Sequence, residues 1–385
     1  MLGLIDIVLF IPIAFSVGYI FIFSIISIVF PKKEHSRQHN KQHRFLVVFP
    51  AYAEDNVIED SIVSFLRQDY PNDLYEVVVV SDHMKDSTNS KLKSLPITTL
   101  IATYDNSSKA KALQLTVRES DPDFDYVVIL DADNKVEPTF LTELNTYCLP
   151  DSIAIQAHRK AKNTNNNVAI LDAASEEINN TIFRKAHNLI GLSSALIGSG
   201  MCIDYPWFKN HVGMLSTAGE DKELEEALLI EGKKVKYIEQ IPVYDEKVQN
   251  GANFGNQRKR WIAAQIYSLK SLGKKLPQAI QKRKIDFVDK FIQQLLLPRS
   301  MCIVFTPLLT VIFSLLNVSI FNKWLILCCI LFFSLFISIP RQLYNKNMLK
   351  AIFKIPGLVL RMLANLLHLK GASNTFIHTE HGVKK

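Results

Sequence analysis

Asp131 and Asp133 follow directly on the apolar run Tyr126-Val127-Val128-Ile129-Leu130. Two carboxylates at a strand end suit a hard divalent cation, Mg²⁺ or Mn²⁺, that also takes diphosphate oxygens; the alternative is a structural cap on the strand. Spacing alone carries little, since Asp121-Pro122-Asp123 and Asp123-Phe124-Asp125 share it and read as solvated turn residues in a Pro-containing loop. Further chemistry-bearing groups are Asp82, after the run Val77-Val78-Val79-Val80, and the acidic pair Glu220-Asp221. Acids at a helix start also serve simply as dipole partners. Gln257-Arg258-Lys259-Arg260-Trp261 sets guanidinium groups, which bind phosphate oxygens multidentately, beside an aromatic face. The same residues read alternatively as a lipid-facing basic strip with an interfacial Trp anchor.

The elements that position these residues alternate in type. Arg44-Phe45-Leu46-Val47-Val48-Phe49 reads as a strand ending at Pro50, and residues 58–66 have helical spacing. A second strand ends in Ser81-Asp82 and a third in Asp131-Ala132-Asp133. Runs apolar on both faces, alternating with helices, predict an α/β fold with a parallel sheet covered on both sides, where ligands gather at the carboxyl ends of strands.

The 385 residues are 48% hydrophobic, and the apolar ones concentrate at 2–30, 301–340 and, diluted, 349–369. Residues 7–30 are long enough to span a hydrocarbon core of about 30 Å. A cleaved signal peptide fits badly, because the run is long, no A-x-A-like site follows and the basic residues come after it. Lys32, Lys33, Arg37, Lys41 and Arg44 place the following chain on the cytoplasmic side. The resulting division is an N-terminal transmembrane helix (1–30), a cytoplasmic catalytic domain (31–284), an interfacial helix (285–300), a transmembrane hairpin turning at Phe321-Asn322-Lys323 (301–340) and a cytoplasmic interfacial segment (341–385). Core packing in the soluble domain is the alternative for 285–297. The net charge of +7 is clustered beside the apolar blocks, which suits anionic lipid head groups, and no nucleic-acid-binding pattern accompanies it. Five cysteines without metal-like spacing in the soluble part predict no disulfide framework. The expected location is therefore the cell membrane, as a multi-pass protein.

Pro50-Ala51-Tyr52-Ala53-Glu54-Asp55, followed by Gln68-Asp69-Tyr70-Pro71, resembles the opening of family-2 glycosyltransferases, commonly P-A-Y-N-E-E and Q-D-Y-P. Lys109-Ala110-Lys111-Ala112-Leu113 resembles that family's G-K-A-x-A-L segment, Gly219-Glu220-Asp221-Lys222-Glu223-Leu224 its E-D-x-x-L segment, and Gln257 to Trp261 the Q-x-x-R-W signature of processive cellulose, chitin and hyaluronan synthases. Ala53 and Ser108 depart from the usual Asn and Gly. The resemblance implies a GT-A domain between transmembrane helices and a nucleotide-sugar donor, with a UDP-sugar expected. Tyr52, Glu54, Asp82, Lys109, Asp131 and Arg260 would then bind the donor, and Asp131 and Asp133 the metal. Asp221 would be the base with Glu220 supporting it, while Gln257, Trp261 and Gly200, in the turn Gly198-Ser199-Gly200-Met201, would meet the acceptor. That acceptor is a growing polysaccharide, with a single addition to a lipid-linked or oligosaccharide acceptor as the alternative. An export component would want ionisable groups within its spans, whereas 301–339 holds only Asn317, Asn322 and Lys323 near the hairpin turn. A catalytically dead scaffold is disfavoured by the intact acids at 82, 131, 133 and 221.

Overall fold

The computed structural model describes residues 2–30, 41–121, 123–217, 219–248, 251–316, 318–354 and 357, without the side chains of 2, 251–254, 256, 258–260 and 318–320. Lys32, Lys33 and Arg37, the side chains of Arg258, Lys259 and Arg260, and most of the C-terminal interfacial segment lie outside the described residues. Eight strands form one sheet: β1 (Phe45–Tyr52), β2 (Tyr75–Asp82), β3 (Thr98–Ala102), β4 (Tyr126–Ile129), β5 (Lys135–Val136), β6 (Ala154–Ala161), β7 (Met201–Asp204) and β8 (Val235–Asp245), in the order β3-β2-β1-β4-β7-β6-β8-β5. The first four are mutually parallel, while β7 runs antiparallel to both β4 and β6. Val77 to Val80 are all buried because helices cover both faces, which is why the run does not alternate with polar residues.

Register brings the acids together. Tyr52 pairs with Asp82, so β1 and β2 end together, while β4 ends opposite Val48, four residues short, and the chain from Leu130 onward continues toward the same rim of the sheet. Asp131 and Asp133 follow at that rim.

Gly3–Val29 and Arg299–Leu316 are helices long and apolar enough to cross a membrane, and Phe321–Ile337 is a shorter apolar stretch. The hairpin differs from expectation. Phe321-Asn322-Lys323 lies inside the helix Val318–Ile337 instead of forming its turn. A charged residue is tolerated there because Lys323 pairs with Asp6 of the first helix and sits 4.5 Å over the Phe10 ring, while Trp324 Nε1 donates to Asp6 at 2.8 Å. The helix Ile285–Leu295 turns polar residues inward: Lys290 pairs with Glu225 at 2.7 Å, and Asp289 accepts from Tyr19 of the first helix at 2.8 Å.

Candidate active site

The rim opens into a cavity of about 920 Å³, and Tyr52, Glu54, Asp82, Lys109, Asp131, Asp133, Glu220, Asp221, Gln257 and Trp261 all line it. Ser108 caps the helix Lys109–Glu119 by accepting the Lys111 N–H at 3.2 Å, which sets Lys109 at the first position inside the cavity wall. Its ammonium donates to Asp131 Oδ1 at 2.5 Å and to the Gly198 carbonyl at 2.6 Å, and lies 3.6 Å from Glu220 Oε1. Burial opposes the charged ammonium, but Asp131, Glu220 and Asp221 outweigh it and raise the Lys109 pKa.

Asp133 points into the fold as well as to the cavity, accepting the Glu246 N–H at 2.7 Å just past the end of β8. Asn134 accepts the Asp131 N–H at 3.0 Å, fixing the turn that carries both acids. Glu220 and Asp221 open the helix Glu220–Glu231, which has no side-chain cap at Gly219. Burial, with neighbouring Asp221 adding to it against the pull of Lys109, pushes the Glu220 carboxyl up to about 7. Gln257 Oε1 is buried without a hydrogen-bond partner among the described residues. A buried orphan acceptor on a cavity wall is where a ligand hydroxyl would bind.

Gly200 sits apart from the other residues chosen from the sequence. It is built into the sheet, donating to Ile129 O at 2.9 Å and accepting from Ala157 N at 2.8 Å, and a Cβ there would come 3.1 Å from Val243 Cγ2. Of the two glycines in this turn, it is Gly198 that lines the cavity, at φ +73°, a backbone position that disfavours side chains. Arg260 lies on the helix Gly251–Gln281 with its side chain undescribed. Arg159, Asp245 and Lys290 also line the cavity and were missed. Asp245 carried a readable signal, an acid after Ile241-Pro242-Val243-Tyr244 at a strand's carboxyl end; Arg159 and Lys290 carried none, because only tertiary packing turns them inward.

The donor set of Asp131 and Asp133 is hard oxygen, suited to Mg²⁺ or Mn²⁺. Among the described residues no group of three or more His, Cys, Asp or Glu could hold a metal ion. Two carboxylates by themselves would leave the other ligands of such a cation to a bound diphosphate and water.

A mixed sheet with this strand order and acids at the carboxyl ends of its parallel strands defines a GT-A-like glycosyltransferase fold. The family described as "Glycosyltransferase like family 2" matches residues 43–264, and the chain belongs to it. Among solved structures, the chain is similar to the mannosyltransferase PcManGT from Pyrobaculum calidifontis in complex with GDP-Man and Mn²⁺, at 14% identity and TM-score 0.62, over 96% of this chain and 100% of that one. It also matches S. aureus TarS 1–349 in complex with UDP-GlcNAc, at 12% identity and TM-score 0.45, over 85% of this chain and 90% of that one. No protein of curated function matches the chain significantly.

Proposed function

We propose that this glycosyltransferase is an inverting, metal-dependent enzyme of the membrane that moves a sugar from a nucleoside-diphosphate donor, a UDP-sugar in the first instance, to a growing glycan. The observation that carries this reading is the Lys109 ammonium, shared between the strand-end acid Asp131 and the helix-start acid Glu220 in one cavity. It ties a place for the diphosphate to a place for the base.

In this reading Tyr52 and Asp82, side by side at the ends of β1 and β2, take the nucleoside, with Glu54 beside them. Lys109 faces the diphosphate, and Arg260 is assigned there by motif. Asp131 and Asp133 would hold the divalent cation, which when bound neutralises charge on the departing nucleoside diphosphate. Asp221 takes the proton of the acceptor hydroxyl, on the face of the sugar away from the leaving group. Glu220, its carboxyl raised to about 7 and so about half protonated at pH 7, positions that hydroxyl without adding a full second negative charge. Trp261 offers its face to the acceptor sugar and Gln257 its orphan carbonyl. The Pyrobaculum enzyme binds GDP-mannose with Mn²⁺, and the same class of donor is proposed here. The Q-x-x-R-W pattern favours repeated addition, the two membrane-length helices with the shorter apolar stretch favour a multi-pass protein, and the basic residues after the first apolar run favour a cytoplasmic catalytic domain.

The test is to incubate membranes holding the full chain with radiolabelled UDP- and GDP-sugars and Mn²⁺ or Mg²⁺, then size the products. Transfer by the wild type and none by Asp133→Ala, with membrane insertion equal, is the expected result. Undiminished transfer by Asp133→Ala would remove the basis of the assignment.

A further inference from the structure

Consecutive residues of one short helix reach in two directions. On the helix Ile285–Leu295, Asp289 accepts from the Tyr19 hydroxyl of the first apolar helix at 2.8 Å and stands 3.1 Å from His187 Nε2. Its neighbour Lys290 pairs with Glu225 of the helix Glu220–Glu231 at 2.7 Å. Successive side chains of an α-helix point about 100° apart, so the helix grips a membrane-length helix with one residue and the helix that carries Asp221 with the next.

Both grips are packed in. The Tyr19 hydroxyl also meets His187 Nε2 at 2.8 Å, Gln293 Nε2 donates to Asp289 Oδ2 at 2.8 Å, and Phe23 stacks on the His187 ring at 3.9 Å. Lys290 and Glu225 are 5% and 2% exposed, and Glu225 Oε2 has no hydrogen-bond partner among the described residues, so the Lys290 bond is what fixes that carboxylate. What it fixes matters for the chemistry. The helix Glu220–Glu231 begins without a side-chain cap and has Asp221 in its first turn. Glu225 lies four residues on from Asp221 and therefore on the same helix face. Other anchors of this helix lie nearer solvent: Glu223 accepts from Ser216 Oγ at 2.9 Å, and Glu226 pairs with half-exposed Lys275 at 2.7 Å. Exposed pairs hold little, whereas opening a buried pair leaves a charge uncompensated.

Resting on the transferase reading above, we propose that Lys290 and Tyr19 are positioning residues for the proton transfer: the first apolar helix, through Asp289 and Lys290, fixes the helix that aims Asp221 at the acceptor hydroxyl. The chain's own membrane-length helix is in this way part of the catalytic apparatus, and turnover is full only when that helix is seated.

The test compares full chains of wild type, Tyr19→Phe, Lys290→Met and the double variant, Tyr19→Phe guarding against misfolding because it removes a single oxygen. In membranes given radiolabelled UDP- and GDP-sugars with Mn²⁺, Lys290→Met should lower kcat about 10–100-fold and Tyr19→Phe less, with KM for the donor unchanged, since a displaced base loses rate and not donor contacts. The double variant should be no slower than Lys290→Met alone, because both substitutions open the same bridge. On the purified chains in phosphatidylcholine nanodiscs, calorimetry should count equal nucleotide sites of equal affinity in all four proteins, and hydrogen exchange of residues 220–231 should quicken in both single variants. Unchanged kcat in either single variant, rate losses that multiply in the double variant, or nucleotide sites lost in step with turnover each overturns the proposal. Faster exchange at 220–231 in both variants, with no sugar transferred even by wild type, keeps the bridge and removes the transferase reading.

Discussion

Two buried glutamates are driven in opposite directions, Glu220 on the cavity wall and Glu176 behind it, beneath the lining residues Arg159 and Arg184. Glu176, 3% exposed, meets Arg159 at 2.9 Å, Arg184 at 3.3 Å and Lys247 at 3.8 Å. Burial disfavours its charge, but the three cations win and hold its carboxyl down at about 2. Glu220, 6% exposed, has Lys109 at 3.6 Å with Asp221 and Asp131 close by, and burial wins, leaving it near 7. One region spends its cations on its own anion and holds the domain together. The other leaves acids incompletely compensated around a cavity, where an incoming divalent cation would supply the missing positive charge.

The largest expected effect is at the under-compensated end. Asp221→Asn should lower turnover about 10²–10⁴-fold while nucleotide binding stays near wild type, since only the proton acceptor is lost. Normal turnover with lost UDP or GDP binding would reverse the role given to Asp221. At the compensated end, Glu176→Gln should destabilise the fold by about 3–5 kcal/mol, because three buried cations lose their shared partner. Denaturant unfolding measures this, and a change under about 1 kcal/mol would show that the network is not a structural clamp.

The pH responses should oppose each other. Glu176 has its folded pKa depressed, so the stability it contributes is full above the ordinary 4.5 and is lost as pH falls toward 2. Glu220 has its folded pKa raised, so its contribution is full below 4.5 and is lost as pH rises through 7. Thermal melts from pH 4 to 8 should therefore show wild type losing ground to Glu220→Gln as pH rises; parallel curves would contradict the environment assigned to Glu220.

The smallest effect concerns the loop after β1. Ala53 adopts φ +52°, a left-handed conformation costly for alanine, and donates its N–H to Asp82 O at 2.9 Å. The Asn usual at this place in the family tolerates that conformation, which gives a physical reason for Asn there and none for the Ala in this chain. Ala53→Gly or Ala53→Asn should stabilise by about 0.5–1 kcal/mol with donor affinity little changed. Equal or lower melting temperatures for both variants would count against strain at Ala53.

The same contrast explains what the sequence revealed. The β1, β2 and β4 runs were legible because buried parallel strands are uniformly apolar, and Asp82, Asp131 and Asp133 were legible as acids at their ends. The buried network was not. Arg159, Glu176, Arg184, Asp245 and Lys247 come from β6, a helix, its π-helical continuation Asn180–Ala186 and the end of β8, and no local spacing announces that they meet. β6 itself, Ala154–Ala161, carries His158, Arg159 and Lys160 and so lacks the apolar run of its neighbours. Lys323 misplaced the expected hairpin turn for the same reason: its partner Asp6 lies 317 positions away. Gly200 was picked out by a turn-like pattern shared with Gly198; both have positive φ, +65° and +73°, and only the neighbouring side chains tell the two apart.

Calorimetric titration of UDP and GDP into the purified chain, with Mn²⁺ present or after exhaustive chelation, tests most directly whether the strand-end acids grip the donor. The account predicts tight binding of at least one nucleotide only with Mn²⁺, and its loss in Asp133→Ala at unchanged melting temperature. Equal binding in chelator and in Asp133→Ala would contradict it.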